Sequence, residues 1–307
     1  MTLDPGHVDP STLHQFGPKG EVLLHDDDIR RMAEAALMED RAWHDITTDA
    51  LVPDDQQGRA TLFANEAGVL AGLQIARAVF TAADGTLKWT EHMEEGAHLH
   101  PGDRIATVSG PLASILRGER AALNYITHLS GVATAAARVV QVLHGTHCYL
   151  RDTRKTIPGL RLLEKYAVHV GGGLNHRLDL AHGILVKDNH WAALHARGVD
   201  LRAAIRLLRG AYPNTKIEVE VTSLAEAREA LAAGSDELLL DNMSPGEMRN
   251  VVALIAGHDP RPALEASGGI TLANAREVAE TGVDYISMGA ITHSAKSLDM
   301  SLEVEIG

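Results

Sequence analysis

The residues best suited to chemistry are concentrated between Arg151 and Lys187. RDTRK sets Arg154 and Lys155 side by side after a β-like run, GGGLNHR adds His176 and Arg177, and Lys187 closes the apolar run GILV. Cations pinned between strand ends and helix starts face a site mouth, and a guanidinium fork can meet a carboxylate or phosphate with two parallel hydrogen bonds. An ammonium desolvated at the end of an apolar strand needs a partner or a ligand. Lys187 is therefore open to two roles, a Schiff-base nucleophile of aldolase-like chemistry or an anion clamp. Glu220 and Asp241, at the ends of the next two strands, favour the clamp. Paired acids across a barrel mouth suit vicinal hydroxyls or a Mg²⁺ ion held through water. ASGGI, with Ser267, Gly268 and Gly269, reads as a phosphate cradle opening a helix, and MGAITHS supplies Gly289, Ala290 and His293 in the next loop. Such loops after the last two strands of a barrel are a frequent phosphate site. Upstream, Arg120 falls on the first turn of a long helical pattern, with Asn124 and His128 on the same face.

These groups need a scaffold that brings strand ends together. After Gly145 short β-rich runs alternate with capped helical segments: THCYLRDT, GILVKDN, KIEVEVTS, DELLLDN, ALEASGG and VDYISMG. Ser223 with Glu226 and Ser244 with Glu247 have the capping-box spacing, Pro245 suits a first helical position, and Pro158 is expected to open a helix after Lys155. Parallel βα repeats fit a closed barrel or an open doubly wound sheet. The lack of a Gly-x-Gly-x-x-Gly turn, together with polar residues at successive strand ends, favours the barrel. Before Gly145, alternating runs from Gly58 to Gly110 predict a small sheet with a helix near residues 73–83, followed by a long helix over 118–143 with an interruption at Gly131. An acidic cap at Asp26 to Asp28 starts the first helix, and residues 1–25 read as a mobile leader.

Composition narrows the partners. The 307 residues are 45% hydrophobic and 22% charged with one cysteine, Cys148, which excludes a disordered chain and a disulfide scaffold. A formal charge of -13 disfavours nucleic acid and anionic lipid, so an anionic ligand must find a local basic cluster. No apolar run approaches the roughly 20 residues of a membrane span, no export signal is visible, and a cytoplasmic location is expected. His98, His100 and Asp103 do not make a metal set.

The strings EDRAWHDITTDALVP, GERAALNYITHLSGVAT, RDTRKTIPGLRLLEKYAVHVGGGLNHRLDL, ILVKDNH, EVEV, LLLDN, EASGGI and GVDYISMGAITHS, in this order over residues 26–307, closely resemble the quinolinate phosphoribosyltransferase family. The resemblance implies an incomplete, about seven-stranded α/β barrel with an N-terminal α/β sandwich domain. The domains expected are 26–130, joined by 292–307, and a barrel over 131–291. It implies transfer of phosphoribose from phosphoribosyl pyrophosphate to quinolinate with decarboxylation, using Mg²⁺, in a homodimer that could assemble further. By resemblance Arg154, His176, Arg177, Lys187 and, across the dimer, Arg120 meet the quinolinate carboxylates. Lys155 and Lys187 lie near the pyrophosphate, Glu220 and Asp241 hold ribose hydroxyls and Mg²⁺, and Ser267, Gly268, Gly269, Gly289, Ala290 and His293 bind phosphate. The alternatives are a paralogous phosphoribosyltransferase of the molybdenum-transport-associated type, a direct nicotinate phosphoribosyltransferase, a Schiff-base phosphosugar aldolase and a non-catalytic phosphate-binding barrel. The chain departs from the family in WHD before ITTD and in its histidine-bearing leader.

Overall fold

A computed structural model describes residues 21–306. In chain order the first part contains α1 (Asp26–Glu39), α2 (Ile46–Leu51), β1 (Gln57–Ala64), β2 (Gly68–Val69), α3 (Leu73–Ala83), β3 (Lys88–Glu91), β4 (His98–Leu99), β5 (Arg104–Pro111) and α4 (Leu112–Leu143). There follow β6 (Tyr149–Arg151), α5 (Arg161–Val170), β7 (Ile184–Val186), α6 (Asp188–Ala196), α7 (Leu201–Ala211), β8 (Ile217–Val221), α8 (Leu224–Ala233), β9 (Glu237–Asp241) and α9 (Pro245–Ile255). The last elements are β10 (Ala263–Ser267), α10 (Ala275–Ala279), β11 (Tyr285–Ser287), α11 (Ala290–His293) and β12 (Met300–Ile306).

The chain divides into two compact units, and segment 157–172, expected within the barrel, groups with the N-terminal unit together with 291–307. In that unit an antiparallel sheet has the order β12-β1-β5-β3, so the C-terminal strand returns to pair with the first strand from Gly58↔Ile306 to Ala64↔Met300. Ala60, Leu62 and Ala64 of β1 and Ile105, Ala106 and Val108 of β5 are buried, as are Leu73, Ile75, Ala76, Val79 and Phe80 of α3.

Several helix boundaries depart from expectation. The acids at 26–28 form the first turn of α1 rather than its cap, which is His25. Their charge still complements the positive helix end. Helix α4 begins at Leu112, so Arg120 sits in its third turn rather than its first, and the helix runs through Gly131 unbroken. By length and composition this 32-residue helix could cross a membrane, contrary to the expectation that no segment qualifies. Ile115, Ile126, Leu129, Val132 and Ala133 are instead fully enclosed, which makes its apolarity that of a core helix. Gly131 is required because a Cβ there would overlap the Lys296 carbonyl oxygen.

The second unit carries six parallel strands in the order β6-β11-β10-β9-β8-β7. This is the incomplete α/β barrel that the sequence indicates. A single parallel bridge, Arg151↔Leu174, supplies a vestige of a seventh position beside β6. Helix starts follow local chemistry. Ser244 and Glu247 cap α9 reciprocally with Pro245 at the first position, whereas Glu226 accepts from Thr222 while Ser223 accepts from Glu226, so only half of that box forms. Pro158 lies in a turn, and α5 starts only at Arg161.

Gly131→Ala tests the close approach. Alanine favours an exposed helix interior by about 1 kcal/mol over glycine, but forcing a methyl group against a backbone oxygen costs roughly 1–3 kcal/mol. The thermal midpoint is expected to fall by roughly 2–6 °C; a rise in differential scanning calorimetry would show that the loop at Lys296 yields freely.

Candidate active site

Alternation along a strand sends every second side chain into the barrel. From β7 to β10 this places Lys187, Glu220, Asp241 and Ser267 at the carboxyl ends, above Leu185, Glu218, Leu239 and Glu265 two residues earlier. The upper residues, with Arg154 and Lys155 after β6, His176 and Arg177 before β7, and Gly268 and Gly269 after β10, line a cavity of about 800 Å³. Gly268 has φ +86°, and a Cβ there would overlap the Asn242 side-chain amide, so only glycine lets this loop reach the rim.

The cations are in the right place for an anion. The Nε of Arg154 is buried without a hydrogen-bond partner among the described residues. Arg177 donates to the Gly183 carbonyl at 3.0 Å. Burial, and then the charge of Arg154, pull the Arg177 guanidinium below its ordinary pKa. Two guanidinium groups that disfavour each other's charge are relieved by a carboxylate or phosphate between them. Lys187 is 47% exposed, with Nζ 3.8 Å from Glu220 Oε2. The buried ammonium expected from the apolar run is therefore corrected: the chain bends into α6 at Lys187, and solvent reaches the amine. It lacks the desolvation that activates a Schiff-base lysine. Burial raises the Glu220 pKa, Lys187 opposes this, and Asp241 and Asp188 add to it. Glu220 and Asp241 thus form an oxygen-rich pair that a hard cation would relieve.

Two expectations do not hold in the form stated. Ser267, Gly268 and Gly269 do not open a helix, since α10 begins at Ala275 and has five residues. The phosphate cradle must therefore rest on loop N–H groups rather than on a helix end. Gly289, Ala290 and His293 do not line the cavity; His293 falls in the N-terminal unit with its Nδ1 2.6 Å from Ser294 Oγ. Arg120 is exposed on α4 of that same unit, where it lines a separate cavity of about 330 Å³ with Asn124, His128, Glu39 and Asp40.

Beneath the rim lies a charged layer that sequence reasoning missed. Arg151 Nη1 donates to Glu237 Oε2 at 2.9 Å and to Glu265 Oε2 at 2.8 Å, while its guanidinium carbon lies 3.3 Å from the Tyr285 ring centroid. His176 Nε2 is 2.9 Å from Glu218 Oε2, and Lys216 Nζ donates to Glu237 Oε1 at 2.9 Å. Asp152, fully buried, accepts from the His176 backbone N–H at 2.8 Å and from Asn175 Nδ2 at 2.7 Å. The signal was present: acids at 218 and 265 stand two residues before the rim residues at 220 and 267, inside runs that should be apolar in a buried parallel strand. His176, Glu218 and Glu265 bring ligand atoms within 4.8 Å, a spacing a metal ion could use. Arg151 already neutralises Glu265 there, however, and Glu218 is engaged with the imidazole.

A parallel α/β barrel that presents a cationic rim beside paired carboxylates is built as a transferase for anionic substrates. The family model described as quinolinate phosphoribosyl transferase, C-terminal domain, matches residues 132–303, and the N-terminal domain model matches 45–130. The chain belongs to the quinolinate phosphoribosyltransferase family. It is 42% identical to the nicotinate-nucleotide pyrophosphorylase (carboxylating) of Mycobacterium leprae over 91% of this chain and 96% of that protein. With the human protein of that name it shares 43% identity over 83% and 85%. The solved nicotinate-nucleotide pyrophosphorylase of Francisella tularensis superposes with a TM-score of 0.84 at 36% identity, covering 92% of this chain and 98% of that one.

The charged layer makes a prediction about stability. Burial would raise the Glu237 pKa, but Arg151 and Lys216 outweigh it and hold the carboxyl below its ordinary value. A depressed carboxylate contributes stability above its unfolded pKa and loses it as pH falls through the folded value. Urea unfolding should therefore weaken below pH 4.5, the ordinary glutamate value. In Glu237→Gln that acid limb should be shallower and the neutral-pH stability lower; superimposable pH profiles would remove Glu237 from this account.

Proposed function

We propose that the chain transfers phosphoribose from phosphoribosyl pyrophosphate to quinolinate, giving nicotinate mononucleotide, CO₂ and pyrophosphate in NAD biosynthesis. The observation that carries this reading is the Arg154–Arg177 pair in one cavity with the Glu220–Asp241 pair. Two mutually repelling guanidinium groups suit a dicarboxylate, and two acids at neighbouring strand ends suit the hydroxyl-rich ribose. Loss of pyrophosphate from the ribose C1 develops oxocarbenium character, so anionic carboxylates near the sugar and cations near the leaving group both lower the barrier. Lys155 and Lys187 supply ammonium groups for the departing charge, and the loop at Ser267, Gly268 and Gly269 offers backbone to the 5′-phosphate. Arg154 and Arg177 orient the pyridine ring so that its nitrogen faces C1. The ribosylated ring is a pyridinium that accepts the electron pair left when the adjacent carboxylate departs as CO₂, so orientation suffices without a dedicated base.

Glu220 and Asp241 are the residues that would hold Mg²⁺, and burial together with the neighbouring acids favours a cation beside Glu220. When bound, Mg²⁺ neutralises charge on the pyrophosphate leaving group. Arg120 would serve the same site from a second chain in a homodimer, consistent with its exposed place on α4. A cytoplasmic setting agrees with the single thiol, Cys148, whose pKa burial pushes up to about 12, leaving it inert.

The test is direct. Purified protein with quinolinate, phosphoribosyl pyrophosphate and Mg²⁺ should form nicotinate mononucleotide, with chelation abolishing it and nicotinate replacing quinolinate poorly. Equal turnover of the two acceptors would exclude the dicarboxylate reading.

Subunit mixing checks the shared site. Arg120→Ala and Lys187→Ala should each be nearly inactive, the former through loss of a carboxylate contact worth roughly 2–4 kcal/mol. Exchange makes half the dimers mixed, and each mixed dimer restores one of two sites, so activity should return to about a quarter of wild type. No recovery despite demonstrated exchange would place Arg120 outside the partner's site.

A further inference from the structure

The imidazole of His176 is held at both nitrogens. Nδ1 accepts the Arg177 backbone N–H at 2.8 Å, so in the neutral ring the proton is on Nε2 and is donated to Glu218 Oε2 at 2.9 Å. Glu265 Oε2 lies 3.8 Å from the same Nε2 and is itself held by Arg151. The backbone behind the ring is fixed by Asp152, which accepts the His176 N–H. His176 is thus gripped from the residue that follows β6, from β8 and β10, and from its own chain neighbour.

Glu218 is committed to this one contact. Its other oxygen, Oε1, is buried with no hydrogen-bond partner among the described residues. Two residues along the same face, Glu220 reaches the rim, whereas Glu218 is 5% exposed and lies in the layer below. An apolar residue would satisfy the strand better there, as Leu185 and Leu239 do in their own strands, so the carboxylate is explained by what it does to His176.

We propose that Glu218 is a positioning residue for the acceptor-binding step, fixing the ring plane and the proton-bearing nitrogen of His176, with Glu265 and Arg151 as its support. This rests on the functional reading above. Aspartate or glutamate partners behind functional histidines act in this manner, selecting a tautomer and raising the basicity of the ring. Burial alone would depress the His176 pKa, but the Glu218 hydrogen bond and the charges of Glu265 and Glu218 outweigh burial and the opposing charge of Arg151. Arg177, next in the chain, faces the same cavity. Adding a proton to Nδ1 breaks the Arg177 N–H contact, so charging the ring and freeing the Arg177 backbone amide are one event.

The test uses ¹⁵N-histidine-labelled full-length protein, with the His176 signals assigned by their loss in His176→Gln. In the wild type His176 should be the Nε2–H tautomer when neutral and should titrate above the ordinary histidine value of 6.5. Glu218→Gln, which keeps the shape, should lower that midpoint by about one unit. It should also raise KM for quinolinate about tenfold while changing KM for phosphoribosyl pyrophosphate little. Glu265→Gln should shift the midpoint in the same direction by less. Glu237→Gln, which touches Arg151 but not His176, should leave it in place. An unchanged His176 titration in folded Glu218→Gln, or in folded Glu265→Gln if the first variant does not fold, overturns the proposal. The nuclear resonance result does not depend on turnover, so a protein that shows the shift yet makes no nicotinate mononucleotide refutes the functional reading, and with it the acceptor-binding role, and leaves only the hold of Glu218 on the His176 ring standing.

Discussion

The contact on which the barrel's chemistry depends is the Arg151 guanidinium shared between Glu237 and Glu265. Enclosing such charges is costly, and removing one partner from a buried group of this kind leaves a charge with nowhere to go. Three carboxylates, Glu218, Glu237 and Glu265, face Arg151, Lys216 and the imidazole of His176, and burial together with the charge of Glu218 still raises the Glu265 pKa against the pull of His176 and Arg151. The result is a rigid floor under an open cavity. A floor made of leucine would be more stable, but it could not hold an imidazole at a set angle or carry electrostatic preference up to the rim.

This floor also explains why the barrel tolerates being incomplete. Among the described residues one bridge, at Leu174, stands beside β6 where a further strand would lie. There the Leu174 N–H donates to the Leu150 carbonyl and the Asp152 N–H to the Leu174 carbonyl. Asp152 then ties the same segment through the Asn175 side chain and the His176 N–H. Side-chain bonds thereby replace part of the missing ladder, and the residues they anchor are the ones that reach the cavity.

Much of the second unit was legible because its signals are local. All six parallel strands fall within runs recognisable by β-rich composition, and α9 shows both halves of its capping box. The rim residues were legible for a different reason: charge at the end of an apolar run is conspicuous. Arg151, Asp152, Glu218 and Glu265 were not, because a charge inside a strand can be interpreted only once the opposite partner is known, and those partners lie tens of residues away. The start of α4 was misplaced because Leu112 to Arg117 continues straight from β5, with no capping signal between them. The phosphate loop at Gly268 was found, but its assumed helix was not; glycines signal permitted backbone geometry without specifying the element that comes after them.

Gly268 and Asn242 carry an implication for anyone wishing to remodel this protein. The two loops meet so closely that a Cβ at 268 would overlap both the side-chain amide and the backbone nitrogen of Asn242, so shortening residue 242 does not make room for it. Asn242 is itself in the left-handed region, at φ 54°, and donates its Nδ2 to Asp241 at 2.8 Å. A library that randomises position 268 would therefore sample mostly broken rims, whatever residue stands at 242. In evolutionary terms position 268 is closed to substitution, and diversification of the pocket falls to the other loops that line it.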